Sequence, residues 1–175
     1  MNATDTTPRV WIGALGAYNA GRLVGEWCDA TNLDELNECA ERVLAEARKV
    51  VGPLEAGDEI MLADREGFGD LIGEYTPLER VAELGALIDE RGPAFVGYAG
   101  NVGAEYADAE GFEESYCGEY ESEKDYAYDY ADSTGAPTSD TWPTSHVAWD
   151  SATRELMESH YSIDSGSGVY MFRNI

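Results

Sequence analysis

The run CGEYESEKDYAYDYADS, residues 117–133, constrains the fold of this chain more than any other stretch. From residue 105 to 132, carboxylates recur at Glu105, Asp108, Glu110, Glu113, Glu114, Glu119, Glu121, Glu123, Asp125, Asp129 and Asp132, with Lys124 as the one cation among them. The whole chain of 175 residues has a formal net charge of −24. Self-repulsion on that scale opposes a compact state. Yet Phe112, Tyr116, Tyr120, Tyr126 and Tyr128 are interleaved with the acids, and 43% of the chain is hydrophobic, enough for a core. The composition is that of a folded protein, not of a disordered acidic tail.

The charge narrows the set of partners. A chain this acidic is repelled by nucleic acid and by anionic membrane surfaces, and attracted to basic protein surfaces such as the DNA-binding groove of an enzyme. The opening MNATDTTPRV lacks a basic n-region and an apolar h-region, so no signal peptide is expected. No apolar run approaches the roughly 20 residues of a membrane span. Cys28, Cys39 and Cys117 are odd in number and contain no C-x-x-C pair. They read as reduced, mostly buried thiols in a cytoplasmic protein.

Along the chain, the hydrophobic pattern predicts an α+β protein of three small units: an α+β unit over 1–72, a helical unit over 73–103 and an acidic α+β unit over 104–175. RVWIGAL (9–15) reads as a strand, followed by the Gly-rich loop GAYNAGRLVGEW. A helix follows, capped by Asn32 with Glu35 at its third position. Its face is Leu33, Leu36, Ala40, Val43, Leu44, Ala47 and Val50, and Gly52-Pro53 ends it. EIMLAD (59–64) reads as a strand. Thr76-Pro77-Leu78-Glu79 reads as a capping box that opens a helix ending at Gly92-Pro93, and PAFVGYAGNVG as a shorter helix. Ser122 with Asp125 predicts a helix over SEKDYAYDYAD. STGAPTSDTWPTS reads as a loop, DSATRELMESHY as a helix capped by Asp150, and YSI and VYMFR as a closing hairpin across DSGSG.

Chemistry is harder to find. Gly97, Gly100 and Gly103 are spaced G-x-x-G-x-x-G, which is not a dinucleotide fingerprint. His146 and His160 are far apart, with no H-x-x-x-H and no neighbouring cysteine, so zinc is not indicated. DAEG and DSGSG lack the spacing of a calcium loop. No nucleophile stands beside a base. The sequence therefore predicts no catalysis, cofactor or metal.

Three readings of the charge remain. It is a solvated surface, or an adaptation to salt, or a set of carboxylates held for a partner. Distribution favours the last, because only Lys124, Arg154 and Arg173 are basic after Arg91 while the acids of 105–132 alternate with aromatic anchors. Duplex DNA carries one charge per roughly 1.7 Å, so 24 charges correspond to the phosphates of about 12 base pairs, or roughly 40 Å.

Several segments carry a family resemblance: RVWIGALGAYNAGRLVGEWCDA, ADREGFGDLIGEY, LERVAELGALID and EESYCGEYESEKDYAYDYAD. Within them, Y-N-A-G-x-L-x-G-x-W and Y-C-G-E-Y are the specific motifs. From Arg9 to Arg173 the chain resembles the ArdA antirestriction family. The resemblance implies a DNA mimic that occupies the DNA-binding site of type I restriction–modification enzymes, in the methyltransferase core. It also implies an origin in mobile genetic elements, and an elongated homodimer of three-domain chains joined through their C-terminal parts. Where the family's antirestriction motif is expected, near 134–150, this chain reads TGAPTSDTWPTSHVAWD. Trp142, Val147 and Trp149 are its main apolar residues and the candidate dimer contacts.

Overall fold

The structure, a computed structural model, describes residues 7–136, 138, 141, 142 and 144–175. The start of the chain and part of the expected loop STGAPTSDTWPTS (residues 137, 139, 140 and 143) lie outside the described residues. The chain is α+β, with two three-stranded antiparallel sheets, as the hydrophobic pattern predicts. It divides into two compact units, 1–106 and 107–175. The finer partition at 72/73 is a proposal from the sequence.

In the first unit β1 (Arg9–Ala14) is the central strand, flanked by β2 (Gly25–Asp29) and β3 (Ile60–Glu66). Val10, Ile12 and Ala14 point to one face of β1 by the two-residue period of a strand, and all three are buried. Helix α2 (Leu33–Val51) packs on the sheet through Leu36, Cys39, Ala40, Val43 and Ala47. Its start is as predicted: the Asn32 side chain accepts from the backbone N–H of Asp34 at 2.8 Å and of Glu35 at 3.3 Å. Arg48 and Lys49 occupy its last turn, where cations favour the helix dipole.

The Gly-rich stretch is more structured than expected. It contains all but the first residue of the short helix α1 (Leu15–Asn19) and the first three residues of β2. The Trp11 ring lies across Gly25, where an added Cβ would stand 2.3 Å from it. The glycine of G-x-W is thus space for a tryptophan, and a strand of that composition carries little hydrophobic signal. The structure also joins Cys28 to Cys39 in a disulfide between β2 and α2, with Cα atoms 6.4 Å apart, where reduced thiols were expected. The two lie 11 residues apart, and folding α2 back onto β2 brings them together.

A short helix α3 (Pro53–Ala56) leads into β3. Helices α4 (Leu78–Arg91) and α5 (Pro93–Val102) complete this unit, with Val81, Leu84, Ile88 and Phe95 buried. The capping box is not formed: Pro77 occupies the N-cap with no side-chain bond, and the Thr76 hydroxyl instead accepts from the Gly73 N–H at 2.9 Å. Helix α4 packs on α2, and it presses Gly85 against the chain after β2 so closely that a Cβ there would lie 2.1 Å from the Ala30 carbonyl oxygen.

In the second unit β6 (Val169–Arg173) is central, between β4 (Tyr116–Tyr120) and β5 (His160–Asp164). The hairpin β5–β6 is as predicted. Helix α6 (Ala109–Ser115) and strand β4 fall in the acidic stretch where neither was expected, because its charges mask both periodicities. Gly118 has φ of +123°, where the register of β4 against β6 shifts. A bulge with that backbone takes glycine, which accounts for the third residue of Y-C-G-E-Y. Helix α7 (Glu123–Ser133) is capped by Ser122, whose side chain accepts from the Asp125 N–H. Helix α8 (Trp149–Leu156) begins one residue before Asp150, so Ala148 holds the N-cap and Asp150 lies inside the first turn.

Gly85→Ala is expected to destabilise the protein. In an open helix interior this change is favourable by about 1 kcal/mol. Here the new methyl collides with backbone, and overpacking of that kind costs roughly 1–3 kcal/mol. Chemical denaturation of the variant and the parent checks the sign.

Candidate acidic binding surface

The second unit seats its acids on an aromatic framework. On one face of the sheet Phe172 meets Tyr116 at 5.4 Å, Tyr161 at 5.0 Å and Phe112 of α6 at 6.1 Å between ring centroids. Met171 points the other way by strand alternation and is fully buried, and α7 packs on β6 with Tyr126 and Ala127 buried. Tyr120 and Tyr126 are 5.0 Å apart, and Tyr128 stacks on Trp149 of α8 at 3.9 Å. The tyrosines predicted as anchors do tie helices to the sheet and to each other.

Of the eleven predicted acids, Glu105 falls in the first unit and the other ten in the second. All are exposed except Glu123, which is half-buried. They are not equivalent. Asp108 caps α6, accepting from the Gly111 N–H at 2.7 Å. Asp125 takes part in the Ser122 cap. Glu123 accepts from the Ser162 hydroxyl at 2.7 Å, Glu119 from Ser167 at 3.3 Å, and Asp132 from Thr138 at 3.2 Å. Asp129 accepts from the Tyr120 hydroxyl at 3.0 Å. Asp125, Asp129 and Asp132, at i, i+4 and i+7, share one stripe of α7. Several carboxylates are thus fixed by short hydrogen bonds to folded elements, a division that spacing alone did not show.

Cations are used differently in the two units. In the first, Arg42 pairs with Glu26 at 2.7 Å, Lys49 with Glu46 at 2.9 Å, Arg65 with Asp70 at 3.1 Å and Arg80 with Glu83 at 2.8 Å. In the second, Lys124 pairs with Asp150 at 2.9 Å. That hydrogen bond holds the lysine ammonium above its usual range and the Asp150 carboxyl below its own. Besides Lys124, the second unit has Arg154 and Arg173 as cations against its many acids.

Among the described residues one group of metal-type donors gathers, Glu26, Cys28 and Cys39, within 4.8 Å of one another. The disulfide takes both sulfurs and Arg42 holds Glu26 at 2.9 Å, so the group does not offer a free thiolate. His146 is exposed, and His160 packs against Tyr126 and Tyr130. Of the dimer candidates, Trp142 is 80% and Val147 41% exposed, while Trp149 is half-buried under Tyr128. No helix in the described residues is long and apolar enough to cross a membrane.

This arrangement defines an acid-faced α+β protein whose second unit displays carboxylates from a tyrosine-rich core. A family model described as antirestriction protein (ArdA) matches residues 10–169. The chain belongs to that family, whose members are inhibitor proteins and not enzymes. No curated protein matches the chain significantly.

The tyrosine framework makes the fold sensitive to alkali. Burial is the leading cause that raises the phenols of Tyr116, Tyr120, Tyr126 and Tyr170. The Asp129 bond adds to it for Tyr120, and a bond to Cys117 for Tyr126. An unfolded tyrosine titrates near pH 10, so above about that pH the native state holds the extra protons. Stability from these groups is full below pH about 10 and falls as pH climbs toward the native values. An alkaline titration followed by phenolate absorbance and circular dichroism is expected to show late ionisation accompanied by unfolding. Complete ionisation near pH 10 with the fold intact would contradict this.

Proposed function

We propose that this protein inhibits type I restriction–modification enzymes by occupying the DNA-binding groove of their methyltransferase core in place of DNA. The observation that carries the reading is the set of exposed carboxylates on folded elements of the second unit, against which that unit sets three cations, Lys124, Arg154 and Arg173. Membership of an antirestriction family supports it. The carboxylates stand in for phosphate oxygens. The groove's lysines and arginines are satisfied while no cleavable or methylatable strand is presented, so restriction is blocked and modification with it. The protein performs no reaction of its own. The competing reading, an acidic chaperone-like protein for basic partners, predicts no advantage over DNA at this groove.

The test is competition between the protein and duplex DNA for a purified type I methyltransferase. Binding is expected to displace DNA and to weaken as salt rises, because exposed charges are screened over a Debye length near 8 Å at physiological ionic strength. Exposed ion pairs are worth roughly 0–1 kcal/mol each. Glu114→Gln or Glu121→Gln alone is therefore expected to weaken inhibition less than about tenfold. Changing Glu110, Glu113, Glu114 and Glu121 together is expected to weaken it far more, without unfolding, since none of these four caps a helix. Salt-independent affinity, or abolition by one of these single changes in a folded protein, defeats the mimic.

We also propose a homodimer through the second unit, supported by the exposed Trp142 and Val147. Trp142→Glu is expected to give a monomer in sedimentation with its melt unchanged, whereas Trp149→Glu also loses the stack on Tyr128 and melts lower. A parent protein that sediments as a monomer at tens of micromolar removes the proposal.

A further inference from the structure

The second unit contains a feature that a display of surface charge does not require. A cavity of about 500 Å³ opens beside α7, lined by Tyr116, Tyr120, Tyr126, Tyr130, Asp129 and His160. The rings converge: Tyr126 lies 5.0 Å from Tyr120, 6.0 Å from Tyr130 and 5.4 Å from His160. The His160 Nδ1 stands 3.0 Å from both the Leu156 carbonyl oxygen and the Ser159 hydroxyl, contacts that fix the orientation of the ring. The Tyr120 hydroxyl donates to Asp129 Oδ2 at 3.0 Å, which holds that carboxylate at the cavity wall. Tyr120 and the exposed Tyr130, backed by the buried Tyr126, flank a tethered carboxylate, which matches the chemistry of a cation, because the electron-rich rings attract it and the carboxylate pairs with it.

We propose that this cavity is a cage for one arginine side chain of the partner protein. The identity of the partner rests on the antirestriction reading; the preference of the cavity for a guanidinium does not. Arginine fits better than lysine, since its planar group stacks on aromatic faces and pairs with a carboxylate in the same plane, while an ammonium is a compact, strongly hydrated charge. A strongly acidic chain selects basic occupants in any case. One like charge opposes the guest: Arg173, at the end of β6 opposite His160, lines the same cavity. The cage therefore depends on Asp129, and it is weakened by Arg173. Asp129 differs in kind from the other acids of the surface. It acts as an anchor, where they act as one charge among many, and interfaces concentrate binding energy at such anchors.

The experiment uses the full chain with isotope-labelled tyrosine rings, titrated with acetyl-arginine amide, acetyl-lysine amide and the neutral isostere acetyl-citrulline amide. Saturable shifts at Tyr126 and Tyr130 are expected with arginine, weaker ones with lysine and none with citrulline. Asp129→Asn is expected to weaken arginine binding at least fivefold and Arg173→Gln to tighten it. Tyr120→Phe, which keeps the ring but frees the carboxylate, is expected to weaken it partly. In competition with DNA for the methyltransferase, Asp129→Asn is expected to lose tenfold or more where Glu121→Gln loses much less, with melts confirming the fold of both. Equal shifts with citrulline, or an Asp129→Asn variant indistinguishable from Glu121→Gln in both assays, overturn the cage and leave the antirestriction reading standing. Arginine-selective shifts in a protein that fails to displace DNA support the cage and overturn that reading instead.

Discussion

The second unit depends on seating carboxylates that repel one another. Like charges a few ångströms apart oppose compaction, and few cations are present to offset them. The opposing force is aromatic burial beneath the charges. Phe112, Tyr116, Tyr161 and Phe172 form one cluster and Tyr120, Tyr126 and Tyr130 another, so that the backbone bearing the acids is held from inside. Hydrogen bonds then fix individual side chains: Tyr120 on Asp129, Ser162 on Glu123, Ser167 on Glu119. An acid that is bonded in this way has less rotamer freedom to lose when a partner arrives.

The first unit solves the same problem in another way. Arg42, Arg65, Arg80 and its one lysine, Lys49, pair with its own acids, and its core joins aliphatic residues of β1, α2 and α4 to Phe68, Phe95 and Tyr98. Two of its glycines exist for clearance, Gly25 beneath the Trp11 ring and Gly85 against the Ala30 carbonyl. A motif such as G-x-W is thus explained by packing before any function is invoked.

The contrast bears on how an inhibitor of this kind distributes its binding energy. Screened exposed charges supply range and reversibility, each with a small share. A tethered carboxylate among tyrosine faces supplies geometry. In the proposed competition with DNA the two are complementary, because steering by a diffuse negative surface would bring a basic groove near, and a directional contact would fix its register.

The sequence by itself determined the α+β class, the capped helix from Leu33, the closing hairpin and the Ser122 cap, because these rest on local patterns: capping side chains, helical and strand periods, and turn residues. It also showed, through Y-N-A-G-x-L-x-G-x-W and Y-C-G-E-Y, the family that the match over residues 10–169 bears out. The rest was decided by tertiary structure. Strand β2 was hidden in a Gly-rich stretch because its glycines answer to a tryptophan on a neighbouring strand. Helix α6 and strand β4 were hidden because charged residues flatten both hydrophobic periods. Cys28 and Cys39 meet only when α2 folds back over β2. The eleven acids look alike along the chain, yet Glu123 and Glu119 are tethered by hydroxyls 39 and 48 residues away, which no local pattern shows. Asp129 is distinguished by Tyr120 on another element, nine residues away, a relation that no spacing along one element encodes.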